Sequence, residues 1–259
     1  MSRVACAWAD LVEDADTETW YEETHVSDAA SKIASIARNC EQVEDNMFKE
    51  VPGIEGRYMT LYDLPDDATN INAQILPDPA RLPEDTKIET RIYDELPQTS
   101  ADSRELPDVR DIQMFIVVRW QPVAAVHDDF VEWFRNEFAP GMLESPELLR
   151  TRIFKIQEAS TFENNEVKDQ STSNMFQYMT IWEFDCDELP WEILVYLGSS
   201  ERWRYYVEGG HLQWQIAQYL VNRVYPEDDA ADSPAAKRAS ILVTSPPGEG
   251  SDQEHGSTP

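Results

Sequence analysis

The sequence predicts an α+β fold in which two ferredoxin-like βαββαβ modules pack sheet to sheet within one chain. Three observations lead there. Residues 58–64 read YMTLYDL and residues 178–184 read YMTIWEF, an identical triplet followed by four conservative matches. Further echoes keep the same order: Met47-Phe48-Lys49 with Ile153-Phe154-Lys155, Arg91-Ile92-Tyr93 with Arg223-Val224-Tyr225, and Trp20-Tyr21-Glu22 with Trp133-Phe134-Arg135. The expected strands are also apolar on both faces. Met114, Ile116, Val118 and Trp120 lie on one side of a strand whose other side carries Phe115 and Val117. A sheet with helices on one face and water on the other alternates instead. A duplicated module has two copies of the same apolar sheet to hide, and the simplest cover for each is the other.

Taken in order, Arg3–Asp10 is a short apolar run before a helix-start signal at Asp16-Thr17, and reads as a strand. From Trp20 to Ala37, Val26, Ala29, Ala30, Ile33, Ala34 and Ala37 recur at helical spacing. A short strand is expected near Met47–Val51. Pro52-Gly53 then turns the chain into a stronger strand at Arg57–Leu64. Residues 65–86 are rich in Pro, Asp and Asn and leave room for a reduced helix at Thr69–Leu76. Lys87–Glu95 closes the first module, residues 1–96, and 97–111 is a polar linker. The second module, residues 112–226, repeats the plan with strand Gln113–Gln121, helix His127–Phe138 and strand Leu149–Glu158. A polar loop over 159–173, strand Met175–Phe184, a helix near Ser199–Val207 and strand Ile216–Tyr225 complete it. The acidic, then Ser-, Pro- and Gly-rich stretch 227–259 is expected to be a disordered tail.

The formal charge of −29 excludes the cationic surface that nucleic acid or an anionic membrane would need. It works against steering of an anionic substrate, and its plainest use is solubility. Eight Trp and ten Tyr imply thick aromatic packing or an aromatic-lined cavity. Cys6, Cys40 and Cys186 have no paired spacing, so neither a disulfide framework nor a zinc ribbon is expected. Without a secretory signal or a long apolar span, the expected location is the cytoplasm.

Trp20-Tyr21-Glu22-Glu23-Thr24-His25-Val26-Ser27 resembles the motif of the EthD-like branch of the dimeric α/β-barrel superfamily, Tyr-Trp-x-Glu-x-His-x-Pro. Glu23 and His25 stand at the motif's Glu and His, and Ser27 departs from its Pro. Trp133 to Pro140 keeps the Pro but has Asn136 and Phe138 where Glu and His belong. Ser199-Ser200-Glu201-Arg202-Trp203 is similar to the family's Ser-Pro-Glu-Arg segment. The resemblance spans residues 3–225 and implies an intramolecular version of the dimeric barrel, with one of two ancestral sites surviving in module one. It further implies an enzyme of small, mostly aromatic or polyketide-like molecules, of the kind found in fungal secondary metabolism. Monooxygenation, dehydration, decarboxylation, cyclisation and isomerisation all occur in the superfamily, and some members bind haem.

Among single residues, His25 is the candidate acid/base, because an imidazole exchanges protons near neutral pH. Glu22, one helical turn earlier, would orient it. The plain alternative is a surface histidine. Tyr58 and Tyr62 share one strand face with Thr60 and offer phenol donors to a substrate oxygen, with aromatic packing as the plain alternative. Trp8 and Tyr21 are candidate substrate walls. A metal is not expected, since His127, His211 and His255 are scattered and His25 with Glu22 is only two ligands. Haem is not expected either, and without a Gly-rich phosphate loop no nucleotide cofactor is. Gly209-Gly210 reads as a helix stop. Together these predict a cofactor-independent lyase or isomerase, a cyclase or dehydratase, acting as a monomer on a hydrophobic biosynthetic intermediate. His25, Tyr62 and Glu22 would be catalytic; Trp8, Tyr58 and Tyr21 would bind substrate. A monooxygenase of the same fold, cofactor-free or haem-dependent, and a non-catalytic small-molecule-binding or stress protein are the alternatives.

Overall fold

The strands that the sequence marks as apolar on both faces close into a ring. A computed structural model describes residues 2–12, 14–44, 48, 50–78, 86–97 and 108–226. Among them, nine strands form one sheet: β1 Arg3–Asp10, β2 Ile36–Gln42, β3 Tyr58–Leu64, β4 Lys87–Glu95, β5 Met114–Pro122, β6 Leu148–Glu163, β7 Glu166–Asp169, β8 Tyr178–Phe184 and β9 Leu212–Tyr225. Their order is β4-β1-β3-β2-β9-β5-β8-β6, with β6 pairing back to β4 to complete a closed antiparallel eight-stranded barrel. β7 hangs on β6 as a hairpin. Closure leaves those eight strands without a free edge.

The two halves of the barrel match in register. Ala9 pairs with Tyr58, and Trp120 with Tyr178, so YMTLYDL and YMTIWEF occupy the same place relative to β1 and β5. Ala5, Ala7 and Ala9 therefore correspond to Ile116, Val118 and Trp120, while Trp8 corresponds to Arg119. Two of the other three expected echoes are corrected by register. Tyr93, opposite Val4, matches Tyr219, opposite Phe115, rather than Tyr225. Phe154, opposite Met179, matches Cys40, opposite Met59, rather than Phe48.

Three apolar layers result. One fills the barrel interior with residues from both halves, among them Val4, Cys6, Trp8, Leu61, Phe115, Val117, Met179 and Tyr219. The other two lie outside the sheet, beneath the helices of each half. Over the first half run α1 Ala15–Thr19, a π-helical turn Trp20–Val26 and α2 Ser27–Ile33, started by the Asp14 carboxylate accepting from Thr17 N–H. α3 Ile71–Ile75 packs beside them. Over the second half run α4 His127–Trp133, a π-helical turn Phe134–Phe138, α5 Ala139–Met142, α6 Trp191–Gly198, α7 Glu201–Trp203 and a last π-helical turn Arg204–Glu208. No helix among the described residues is long and apolar enough to cross a membrane.

Several expected boundaries move. The first helix stops at Ile33, where Ala34 turns to extended backbone, and β2 begins at Ile36. The expected strand at Met47–Val51 is thus replaced by an earlier one, and Met47 and Lys49 lie outside the described residues. Arg38 and Asn39 fall outside every expected element, and the barrel gives them Asp63 and Thr60 as partners. The expected loop 159–173 continues β6 instead, then reverses at Asn164-Asn165, both at positive φ, where Asn is tolerated. α6 has no counterpart in the expected element order. The expected tail 227–259 lies outside the described residues.

Candidate functional site

The residues expected to form a site in the first half are divided between two faces of the sheet. Trp8 points into the barrel, where the Arg119 guanidinium lies 4.1 Å from its ring centre. Tyr21, Tyr58 and Tyr62 belong to the outer layer beneath α1 and α2. Trp8 therefore does not share a wall with Tyr58 and Tyr62.

His25 stacks on Trp20, with ring centres 5.1 Å apart, and its Nε2 lies 2.7 Å from the Ile75 carbonyl oxygen. A carbonyl only accepts, so Nε2 carries the proton and the ring is the neutral Nε2–H tautomer. Burial pushes the His25 pKa down, with the Ile75 bond opposing. The expected Glu22–His25 pair does not form. In a π-helical turn hydrogen bonds span five residues, so residues three apart no longer stack. Glu22 accepts from Asn39 Nδ2 at 3.0 Å instead, and burial raises its pKa against the pull of Arg223.

Tyr21 hydroxyl sits 3.4 Å from Thr60 Oγ1, which donates to Asn39 Oδ1 at 3.1 Å. Tyr62 hydroxyl is fully buried without a hydrogen-bond partner among the described residues. Burial lifts the pKa of both phenols, that of Tyr21 to about 12. Tyr58 lies under the Arg57 guanidinium, 5.1 Å from ring centre to carbon. With α3 seated on His25, the first half offers a packed layer.

The second half has an aromatic-lined opening. A cavity of about 250 Å³ lies between β5, β8, β9 and the helices above them. Ile116, Val118 and Trp120 form its floor, where the first half has Ala5, Ala7 and Ala9. Trp182, Trp203, Trp214 and Phe138 form its sides, and Trp191, Leu194 and Val195 of α6 cover it together with Phe48. Trp120 and Trp214 are nearly parallel at 5.6 Å, and Phe138 stacks on Trp203 at 5.4 Å. The indole N–H groups of Trp120 and Trp182 both donate to Thr180 Oγ1, so the rings present only carbon to the cavity. The Phe that replaces the motif's His, Phe138, belongs to this lining.

Two features hold the roof. Ser200 caps α7 by accepting from Trp203 N–H. Asp129 of α4 accepts from both Arg202 Nη atoms and from the Tyr206 hydroxyl, tying the last helices to α4. By contrast α6 exposes Val195, Tyr196 and half of Trp191, and is the least covered part of the wall.

Every described lining residue is apolar, so the cavity supplies shape and dryness rather than proton transfer. Its residues do not fit haem: the Met142 thioether is the lone soft ligand, and no cation meets the propionates. Among the described residues no group of three or more His, Cys, Asp or Glu converges as a metal site.

No family model matches the chain, and no curated protein matches it. Solved structures with a similar outline exist. An anthrone oxidase-like protein shares 10% identity with a TM-score of 0.48, over 89% of this chain and 96% of that one. A proposed monooxygenase of Lactobacillus acidophilus shares 8% at 0.48, over 86% and 96%. One of Fusobacterium nucleatum subsp. nucleatum shares 8% at 0.44, over 86% and 94%. The expectation of a cofactor-independent lyase or isomerase working by proton transfer is corrected on the cavity, since no acid or base lines it among the described residues.

Proposed function

We propose that the chain is a monooxygenase-type enzyme whose second half binds a hydrophobic small molecule in the aromatic cavity. The carrying observation is the cavity itself, a partly open apolar volume walled by five indoles, with no ionisable side chain in its described lining. Such a site excludes water and leaves the reactive electrons to the substrate. Oxygenation of an activated methylene suits it: O2 takes four electrons from the carbon, one oxygen becomes the new carbonyl, and the other leaves as water with both hydrogens. The substrate is the reductant, so the balance closes without a further donor. The names of the solved structures with a similar outline agree with this reading without carrying it. On this reading the two halves are one duplicated ferredoxin-like module, residues 1–96 and 112–226, of EthD-like descent, and the chain works as a monomer.

The test is oxygen uptake by the purified protein with a panel of hydroxylated aromatic ketones and their methylene precursors. Uptake should be stoichiometric with product and should stop under nitrogen. Product formed at the same rate without oxygen defeats the oxygenase reading, and saturable binding with no product supports a carrier instead.

His25 has a different part on this reading, that of a half-buried tie between the π-helical turn Trp20–Val26 and α3. His25→Phe is expected to lower stability by about 1 kcal/mol through the lost bond to Ile75. Ligand affinity should not change. Because its folded pKa is depressed, the unfolded chain binds the extra proton first. The stability that His25 contributes is therefore full above about pH 6.5 and lost as pH falls from there toward the folded value. Comparing wild type and variant melting curves between pH 7.5 and 5 reads this directly, and identical slopes would remove the assignment.

A further inference from the structure

Inside the barrel, away from the cavity, several buried donors gather around Trp8. Arg119 and Arg91 are 4% and 6% exposed. Their guanidinium carbons lie 4.1 and 5.7 Å from the centre of the Trp8 ring. Glu89 is the carboxylate that serves both. It binds Arg91 Nε closely, but stands 3.8 Å from Arg119 Nη2, beyond hydrogen-bond reach. Arg119 Nε and Nη2, Arg91 Nη1, the Trp8 indole N–H and the Tyr93 hydroxyl all lack a hydrogen-bond partner among the described residues. Arg91 beside Tyr93, and Tyr219 beside Trp8, come near without reaching hydrogen-bond geometry.

At the other end of the same interior each guanidinium finds a carboxylate. There Arg38, Arg150 and Arg152 face Asp63 and Glu183, with Glu95 adding a third negative charge near Arg152. Each guanidinium donates to at least one carboxylate oxygen within 3.2 Å. Nε and Nη2 of Arg38 also lack a partner among the described residues, so the contrast lies in the carboxylates and not in every donor being filled. At the Trp8 end two guanidiniums share one carboxylate, leaving one uncompensated positive charge. A buried charge with unfilled donors is among the costliest features a fold can carry.

We propose that this end of the barrel interior binds a small monoanion of halide size, held by Arg119 and Arg91 with the Trp8 indole N–H and the Tyr93 hydroxyl. The charge count asks for one negative charge, and every unfilled group is a donor. Size is bounded by the packing: a Cβ on Gly56 would stand 2.7 Å from Trp8 Cβ, so the wall beside the indole has no slack. The depressed pKa of Arg119, set by burial and by Arg91, is in keeping with a missing counter-charge. Nothing in this depends on the chemistry of the aromatic cavity.

The test is thermal melting of wild type and Arg119→Met at constant ionic strength while chloride replaces gluconate, which is too large to enter. Wild type should gain melting temperature saturably, by about 3–6 °C at ten times the dissociation constant. The variant should not respond, and in gluconate should melt at or above wild type, because an uncompensated buried cation has been replaced by an apolar chain. Equal responses in both proteins would assign the effect to surface screening of the −29 charge and overturn the proposal. If Arg119→Met does not fold, wild-type crystals grown in bromide decide. An anomalous peak within hydrogen-bond reach of Arg119 supports the site, and ordered water there without bromide overturns it.

Discussion

Glu183→Ala is expected to cost about 3–5 kcal/mol of folding stability, more than any other single carboxylate replacement in the described chain. Glu183 is fully buried and accepts four hydrogen bonds, from Arg150 Nε and Nη2 at 2.8 and 3.0 Å and from Arg152 Nε and Nη2 at 3.1 and 2.8 Å. Arg152 reaches on to Asp63 at 3.2 Å, and Asp63 takes Arg38 at 2.8 Å. The result is a chain of alternating charge, Arg150–Glu183–Arg152–Asp63–Arg38, that crosses from one half of the barrel to the other. Removing its one fully buried carboxylate leaves Arg152, itself almost wholly inside, with Asp63 at 3.2 Å as its remaining hydrogen-bonded carboxylate. Much of the expected loss is the price of that underpaired cation rather than the net worth of the pair.

The same network sets an acid limit. Burial alone would raise the pKa of Glu183 and Asp63, but Arg152, with Arg150 and Arg38 beside it, overrides burial and holds both below their ordinary values. For depressed carboxylates the unfolded chain binds protons first. Their stabilisation is full above about pH 4.5 and lost as pH falls through the folded values. Glu183→Gln should flatten that acid limb in equilibrium denaturation. A loss under 1 kcal/mol for Glu183→Ala, with an unchanged acid limb, would mean that water enters and screens the network.

That network also shows why some of the architecture was readable from sequence and some was not. YMTLYDL and YMTIWEF carry Asp63 and Glu183 at matching positions, flanked by residues of strong strand preference, so β3 and β8 were legible as equivalent strands, and they take matching registers against β1 and β5. β4 was legible to its ends, because Lys87–Glu95 has no competing signal. β2 was hidden. Ile36–Gln42 contains Arg38, Asn39 and Glu41, and nothing local says that a barrel interior waits with Asp63 for the arginine. The helical spacing of Ala29, Ala30, Ile33, Ala34 and Ala37 then ran past the true helix end. α6 was missed for a related reason: Trp191–Gly198 is apolar on nearly all sides, without the polar face that marks a surface helix.

The candidate site is harder to read from sequence than the strands are. A motif names residue types, and His25 with its aromatic neighbours drew attention to the first half. Whether a pocket exists depends on what covers the sheet. In the first half α3 closes over His25 and the floor is Ala5, Ala7 and Ala9 beneath large tyrosines. In the second half Phe138 stands where a His was expected, and α6 arches over a floor of Ile116, Val118 and Trp120. The signal available in sequence was the excess of tryptophan, five of whose eight members line that cavity.

Ile116→Trp is therefore the substitution expected to separate the two halves most sharply. Ile116 lies in the cavity floor between Trp182 on β8 and Gln218 on β9, and its side chain faces the helices. An indole there occupies the volume a ligand would fill. Affinity for a hydrophobic aromatic ligand should fall at least tenfold, a difference of about 1.4 kcal/mol or more. Overpacking should cost about 1–3 kcal/mol of stability at most, because the added ring enters open space rather than a filled core. Trp203→Ala should act in the opposite sense on shape, enlarging the cavity and admitting bulkier ligands while weakening those that wild type holds. His25→Phe should leave affinity alone. Titrating one ligand into all three variants by quenching of tryptophan fluorescence checks the set, with circular dichroism to confirm the fold. If Ile116→Trp binds as wild type does and His25→Phe does not bind, the working site is the packed layer of the first half, opened by a motion of α3. The aromatic cavity would then be only a packing defect of the second half.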